Sequence, residues 1–274
     1  MTVPPRTRLQ QVAAPPVFVS TLTPREPPLA APVWFLGVDP TAGDPTADYE
    51  RGKKPTACVL LREDAAGLHL DRVERLHENA EIVSLAESVA GPVVVAVDGP
   101  CMDVPQGRTG RPCEREVQRM GLSLYLSGGN QFAGVRDWMR RSFRLFAAFE
   151  RAGYALHGTL PVADGDTDAL LPRTVAEVYP AVGFALAAGY APDAPRKLPK
   201  KGVRAGDDYR AAVLAALGLD LSAVRSPGPR HDLHDAAISA LTAYLATRAR
   251  ARWLGDKADG GGMLVPLPVL REED

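Results

Sequence analysis

Apolar residues in this chain fall in short runs closed by turn residues, and the spacing inside each run separates strands from helices. Val33–Asp39 is a continuous apolar run stopped by Pro40, which is the pattern of a strand covered on both faces. After a polar loop with Gly43, Asp44, Pro45 and Gly52, residues 56–61 and 67–73 read as two further strands of a meander. Ile82, Leu85, Ala86 and Val89 are spaced for a helix over 79–89, and Gly91-Pro92 stops it before Val93–Asp98, the strongest strand of all. A Gly- and Arg-rich loop covers about 99–112. Trp138, Phe143, Phe146 and Phe149 then mark a helix over 135–152. Residues 173–179 form a strand ending at Pro180, 208–217 a helix, and 232–254 the longest helix, with Leu233, Ala237, Leu241, Tyr244 and Leu245 on one side. This order predicts an α/β domain with a mixed sheet.

Three antiparallel strands followed by two parallel ones is the strand order of the ribonuclease H-like fold. The expected architecture is therefore a mixed five-stranded sheet flanked by helices, as one domain over 33–268 with a helical insertion at about 112–172. Residues 1–32 hold eight prolines among Ala, Thr and Arg and are expected to be a disordered tail, as is the short segment 269–274. No internal repeat is present. The balance of 32 Lys+Arg against 33 Asp+Glu leaves a net charge of -1, so any contact with nucleic acid has to come from a local patch and not from a whole-molecule field. With 46% hydrophobic and 24% charged residues, wholesale disorder is excluded. No run of about 18 apolar residues spans a bilayer and the N-terminus lacks a signal-peptide core, which predicts a cytoplasmic protein without membrane contact. Cys58, Cys101 and Cys113 are odd in number and form no CxxC pair, which predicts reduced thiols.

The chemistry sits at the strand ends. Asp39 closes its strand on the face shared with Gly37 and Phe35, and Asp98 closes another on the face shared with Ala96 and Val94. On neighbouring parallel strands the two side chains would stand roughly 5 Å apart, and carboxylates that close repel unless a cation lies between them. Mg²⁺ or Mn²⁺, hard ions that take oxygen ligands, would supply it. An Asp before Pro or Gly-Pro also starts turns, which is the alternative for each residue alone. Glu177 is a third acid, inside an apolar strand, and needs either a place in the site or a cationic partner such as Arg108 or Arg115. Asp232 and Asp235 lie on neighbouring turns of the last helix, turned away from its apolar stripe, and are either site acids or first-turn acids that favour the helix dipole. The adjacent His231 and His234 also suggest a His-Asp phosphohydrolase, but such proteins are all-helical and the strands argue against it.

Gly37-Val38-Asp39, Val97-Asp98-Gly99-Pro100, Arg111-Pro112-Cys113-Glu114-Arg115, Glu177-Val178-Tyr179-Pro180 and Asp235-Ala236-Ala237 together resemble, in order, the family called domain of unknown function 429. Its members are predicted to be ribonuclease H-like nucleases, so the resemblance implies that fold and a metal-dependent phosphodiester hydrolase acting on DNA or RNA. The Asp232-x-x-Asp235-Ala spacing is also similar to the closing helix of RuvC-type Holliday junction resolvases, although those usually carry Glu where this chain has Asp98. The resemblance implies Asp39 and Asp98 as strand ligands of two Mg²⁺ or Mn²⁺ ions roughly 4 Å apart, with Asp235 and possibly Asp232 as helix ligands. Glu177 or Asp232 would complete the shell or orient water. Arg108, Arg111, Arg115, Lys197, Lys200, Lys201, Arg204 and Arg210 would contact phosphates. Rival readings are an actin-like ATPase or small-molecule phosphotransferase, which would need Gly-rich phosphate loops, and a nucleic-acid-binding module without turnover.

Overall fold

The computed structural model describes residues 32–104, 109–128, 132–156, 173–189, 198–255 and 261–267. Both expected tails, and Arg108 and Lys197 among the expected phosphate contacts, lie outside them. The strands are β1 (Val33–Asp39), β2 (Arg51–Asp64), β3 (Gly67–Glu78), β4 (Val93–Asp98), β5 (Ala155–Leu156), β6 (Thr174–Val178), β7 (Ala251–Leu254) and β8 (Met263–Pro266). The helices are α1 (Asn79–Glu87), α2 (Pro112–Arg119), α3 (Ala133–Arg151), α4 (Pro180–Ala187), α5 (Arg204–Ala216) and α6 (Arg230–Ala246). They build one sheet in the order β3-β2-β1-β4-β6-β8-β7, with β5 beside β6. β1, β2 and β3 are antiparallel neighbours, and β4 and then β6 run parallel to β1, so the ribonuclease H-like order is present.

The sheet is longer than the five strands expected. β8 pairs parallel to β6 and β7 antiparallel to β8. The last helix ends at Ala246, not Leu254: Ala249 adopts φ 52 and the Arg250 N–H bonds back to the Leu245 carbonyl, so the chain turns and 251–254 becomes a strand. Two helices went unforeseen because their prolines were read as stops. Pro112 and Pro180 instead occupy the first turn of α2 and α4, where a missing N–H costs nothing. β2 and β3 extend to Arg51 and Glu78 because their outer ends are polar, half-exposed hairpin arms that carry little hydrophobic signal.

Every residue of β1 and β4 is buried, which explains their unbroken apolar runs. One face carries Phe35, Ala57, Val59, Val94, Ala96, Ala176 and Val178 against α6, with α4 and α5 behind it. The other carries Leu36, Val38, Leu60, Val95, Val97 and Val175 against Ile82 and Leu85 of α1 and Leu145, Phe146 and Phe149 of α3. α6 is covered almost all round, with Leu233 to Ala246 buried without interruption, and has no solvent face for its acids. Its seat is set by Gly37. A Cβ there would stand 1.9 Å from the Ala236 carbonyl oxygen and 2.5 Å from the Ala240 nitrogen, so the helix backbone lies directly on β1 two residues before Asp39. The room beside the strand-end carboxylate is thus filled by α6, which delivers Asp235. Among the described residues no helix is long and apolar enough to cross a membrane. The three cysteines are free and buried, and burial pushes the Cys58 and Cys113 thiols up to about 12.

Candidate active site

Asp39 and Asp98 end adjacent parallel strands in matched register, Val38 opposite Val97, and both point to the α6 face. They are 9% and 7% exposed. A side-chain hydrogen bond joins them, which requires a shared proton when no metal is bound. Burial pushes Asp98 up to about 7, with Asp235 adding to the shift while Lys201 and the bond to Asp39 oppose it. Asp39 is raised well above the ordinary carboxylate range, first by burial and then by the charges of Asp98 and Asp235. Asp235, 3% exposed, completes the group from α6.

The countercharge comes from Lys201. Its Nζ donates to Asp235 Oδ2 at 3.0 Å, and Asp235, Asp98 and Asp39 together hold the ammonium above its ordinary range against the effect of burial. About half of that side chain, 54%, is exposed, so the amine reaches inward from a solvent-facing stem. The turn that carries it is braced by Gly206, whose hypothetical Cβ would lie 1.9 Å from the Lys200 carbonyl oxygen. Arg210 lies behind, with Nε 3.7 Å from Asp235 Oδ1, its Nη1 bonded to the Pro199 and Gly206 carbonyls and its guanidinium over Phe184. Tyr179, at the end of β6, also feels Asp98, Lys201 and Asp235, and burial raises its phenol.

Other expected site residues lie elsewhere. Asp232 sits at the rim, between Arg75 Nη1 at 3.3 Å and His231 Nε2 at 3.1 Å. Glu177 pairs with Val97, not with Asp98, so it points to the opposite face of the sheet. There it takes two bonds from Arg111, Nη1 to Oε2 at 2.6 Å and Nη2 to Oε1 at 2.5 Å, and a third from the Cys101 N–H at 2.8 Å. Arg111, expected among the phosphate contacts, is 2% exposed and also bonds Glu114 and Ser127. Its partners keep it in the interior and away from a ligand. Arg210 is likewise buried, whereas Arg115, Lys200 and Arg204 are exposed. The sequence reading missed Lys201 as a neighbour of the acids and Arg75 as their companion on β3. The only signal for Arg75 is parity, since register places Asp39, Ala57 and Arg75 in one row across β1, β2 and β3.

The donor set is all carboxylate oxygen and suits a hard divalent cation. Asp39, Asp98 and Asp235 are buried together and repel, so they require positive charge, and Lys201 stands in for it. Among the described residues no group of three or more Asp, Glu, His or Cys side chains is arranged to hold a metal ion. The residues fit such an ion in chemistry, provided Lys201 yields its place beside Asp235.

The pKa values predict how the metal-free protein responds to pH. Because Asp39 and Asp98 titrate above the ordinary value near 3.8, the folded state holds protons that the unfolded chain releases. Their contribution to stability is full below about pH 4, is lost as pH climbs toward 7 and is absent above it. In EDTA, the unfolding free energy of wild type minus that of Asp98→Asn should therefore fall by up to a few kcal/mol between pH 5 and pH 8. Urea unfolding at several pH values measures it, and a flat difference contradicts the shared proton.

The family model described as "Protein of unknown function (DUF429)" matches residues 37–259, which span β1 to the segment beyond β7. Among solved structures the chain is similar to T. thermophilus RuvC in complex with Holliday junction substrate, at 15% identity and TM-score 0.40, covering 84% of this chain and 98% of that one. No curated protein matches the chain.

Proposed function

The chain belongs to the DUF429 family, and from that premise and its cluster of buried acids we propose that it is a divalent-metal-dependent hydrolase of nucleic-acid phosphodiester bonds. The observation that carries this reading is the contact between Asp39 and Asp98 at the ends of β1 and β4, with Asp235 and Lys201 beside them. Three carboxylates gathered in the interior raise the energy of the metal-free protein and lower it once a cation is bound, which is the signature of a binding site and not of a core. Asp39, Asp98 and Asp235 would hold Mg²⁺ or Mn²⁺. The ion would polarise the phosphodiester and acidify a water molecule.

The chain's own residues supply the rest. Asp39 and Asp98 give up their shared proton as the cation enters, so binding is favoured by rising pH. Lys201, released from Asp235, is long enough to contact a phosphate oxygen at the same edge. Tyr179 stays neutral at working pH and closes one side of the site. A second reading rests on Lys201 itself: a lysine that permanently neutralises the acids would leave a nucleic-acid-binding protein without turnover.

A gel assay separates the two. Purified protein with Mn²⁺ should cut at least one substrate in a panel of branched, duplex and single-stranded DNA and RNA. Binding without any cleavage across the panel would favour the second reading.

A further inference from the structure

A second cavity opens beside the acids. It has a volume of about 320 Å³ and is lined by Arg75, Arg225 and Arg230 with Ser222, Ser226 and Gly228, and no carboxylate lines it. The N-terminus of α6 enters it, and Pro229, the cap residue, provides no side-chain bond to the first-turn N–H groups. Arg75 is nearly buried, its side chain 8% exposed, and it organises the wall by donating to Ser226 Oγ at 3.2 Å, the Pro229 carbonyl at 2.9 Å and Asp232 Oδ2 at 3.3 Å. Those bonds use three of five guanidinium donors, so the same group can fix the loop and face the cavity. Arg225 and Arg230 are exposed on the opposite wall. Three cations, two hydroxyls and uncapped helix N–H groups around a space of roughly ten water volumes form a receptor for an anion.

Its position defines which anion. Arg75 shares a sheet row with Asp39 two strands away, about 10 Å, and faces the same side. Along α6, Arg230 precedes Asp235 by five residues, about 7 Å of helix axis. A strand carries one phosphate per ~3.4 Å of duplex axis, so a strand seated at the acids passes the cavity roughly two or three phosphates further on. We propose that the Arg75–Arg225–Arg230 cavity binds a backbone phosphate of a nucleic-acid substrate, flanking the one at the Asp39–Asp98–Asp235 site. This assignment rests on the reading of that site as acting on nucleic acid.

The test is fluorescence anisotropy of the full-length protein with fluorescein-labelled single-stranded DNA, duplex DNA and RNA, in EDTA so that no turnover occurs. The Arg225→Gln/Arg230→Gln double variant changes only exposed side chains and should melt as wild type does. It should bind the preferred probe about tenfold more weakly near 0.1 M salt, with a salt slope shallower by about 2. Unchanged affinity and slope would overturn the assignment, as would a wild type that binds no probe. Loss of binding in the variant of a protein that never cleaves would uphold the cavity and defeat the hydrolase; intact binding in a variant that still cleaves would do the reverse. A melting-temperature rise with inorganic phosphate alone, abolished in the double variant, would make this a small-anion site and also overturn the proposal.

Discussion

Asp98→Asn should abolish metal-dependent cleavage, by on the order of a thousandfold or more, while making the metal-free protein more stable at pH 8. Both effects come from one change. The amide keeps the volume of the carboxylate and can still hydrogen-bond Asp39, but it removes one of three negative charges confined with Asp39 and Asp235. A cation then loses an anionic ligand, and the rate falls with it. Without a cation, less repulsion and less buried charge remain, so melting in EDTA rises by about 2–4 °C for each kcal/mol relieved. The gain should fade at pH 6, where wild-type Asp98 is itself mostly protonated. Mn²⁺ should raise the melting temperature of wild type more at pH 8 than at pH 6 and have little effect on the variant. Calorimetric melting with and without Mn²⁺ measures this independently of any substrate. Full cleavage by Asp98→Asn, or a variant that melts lower than wild type in EDTA at pH 8, would remove Asp98 from the site.

The parts of the site that sequence made legible are those fixed by local periodicity. Alternation along β1 and β4 is enough to place Asp39 and Asp98 at strand ends on the faces of Gly37 and Ala96. The i, i+3 spacing of Asp232 and Asp235 places them on one side of α6, but not at what depth. Asp235 is buried and Asp232 is at the rim because Gly37 lets the helix backbone settle onto β1, a contact between distant segments. Glu177 illustrates the limit most clearly. Its alternation within β6 is plain, yet which face that parity denotes depends on register with β4, and register is a tertiary property. Lys201 was grouped with its charged neighbours because nothing in a run of lysines marks the one whose amine turns inward. That selection depends on Gly206 and on the acids it meets.

Arg111→Met should be the most damaging single substitution for stability, costing about 3–5 kcal/mol, because it strands Glu177 and Glu114 in the interior without their cation. Glu177 holds Arg111 firmly protonated in spite of burial, and the side chains are 2% exposed or less. The melting temperature should drop by on the order of 10 °C. Glu177→Gln separates structure from chemistry. The amide oxygen can still accept from Arg111 and from the Cys101 N–H, and Arg111 keeps Glu114 as its charged partner, so the loss should be smaller than for Arg111→Met. Since Glu177 points away from Asp39 and Asp98, cleavage per folded molecule at 25 °C should change by less than about tenfold, in contrast to Asp98→Asn. What change there is should come through the Cys101 bond, which ties down the loop immediately after Asp98 and so positions that carboxylate. It should therefore show as weaker Mn²⁺ binding with little change in rate at saturating metal. A thousandfold loss in a Glu177→Gln protein that melts like wild type would return Glu177 to the reacting group and contradict the opposite-face arrangement.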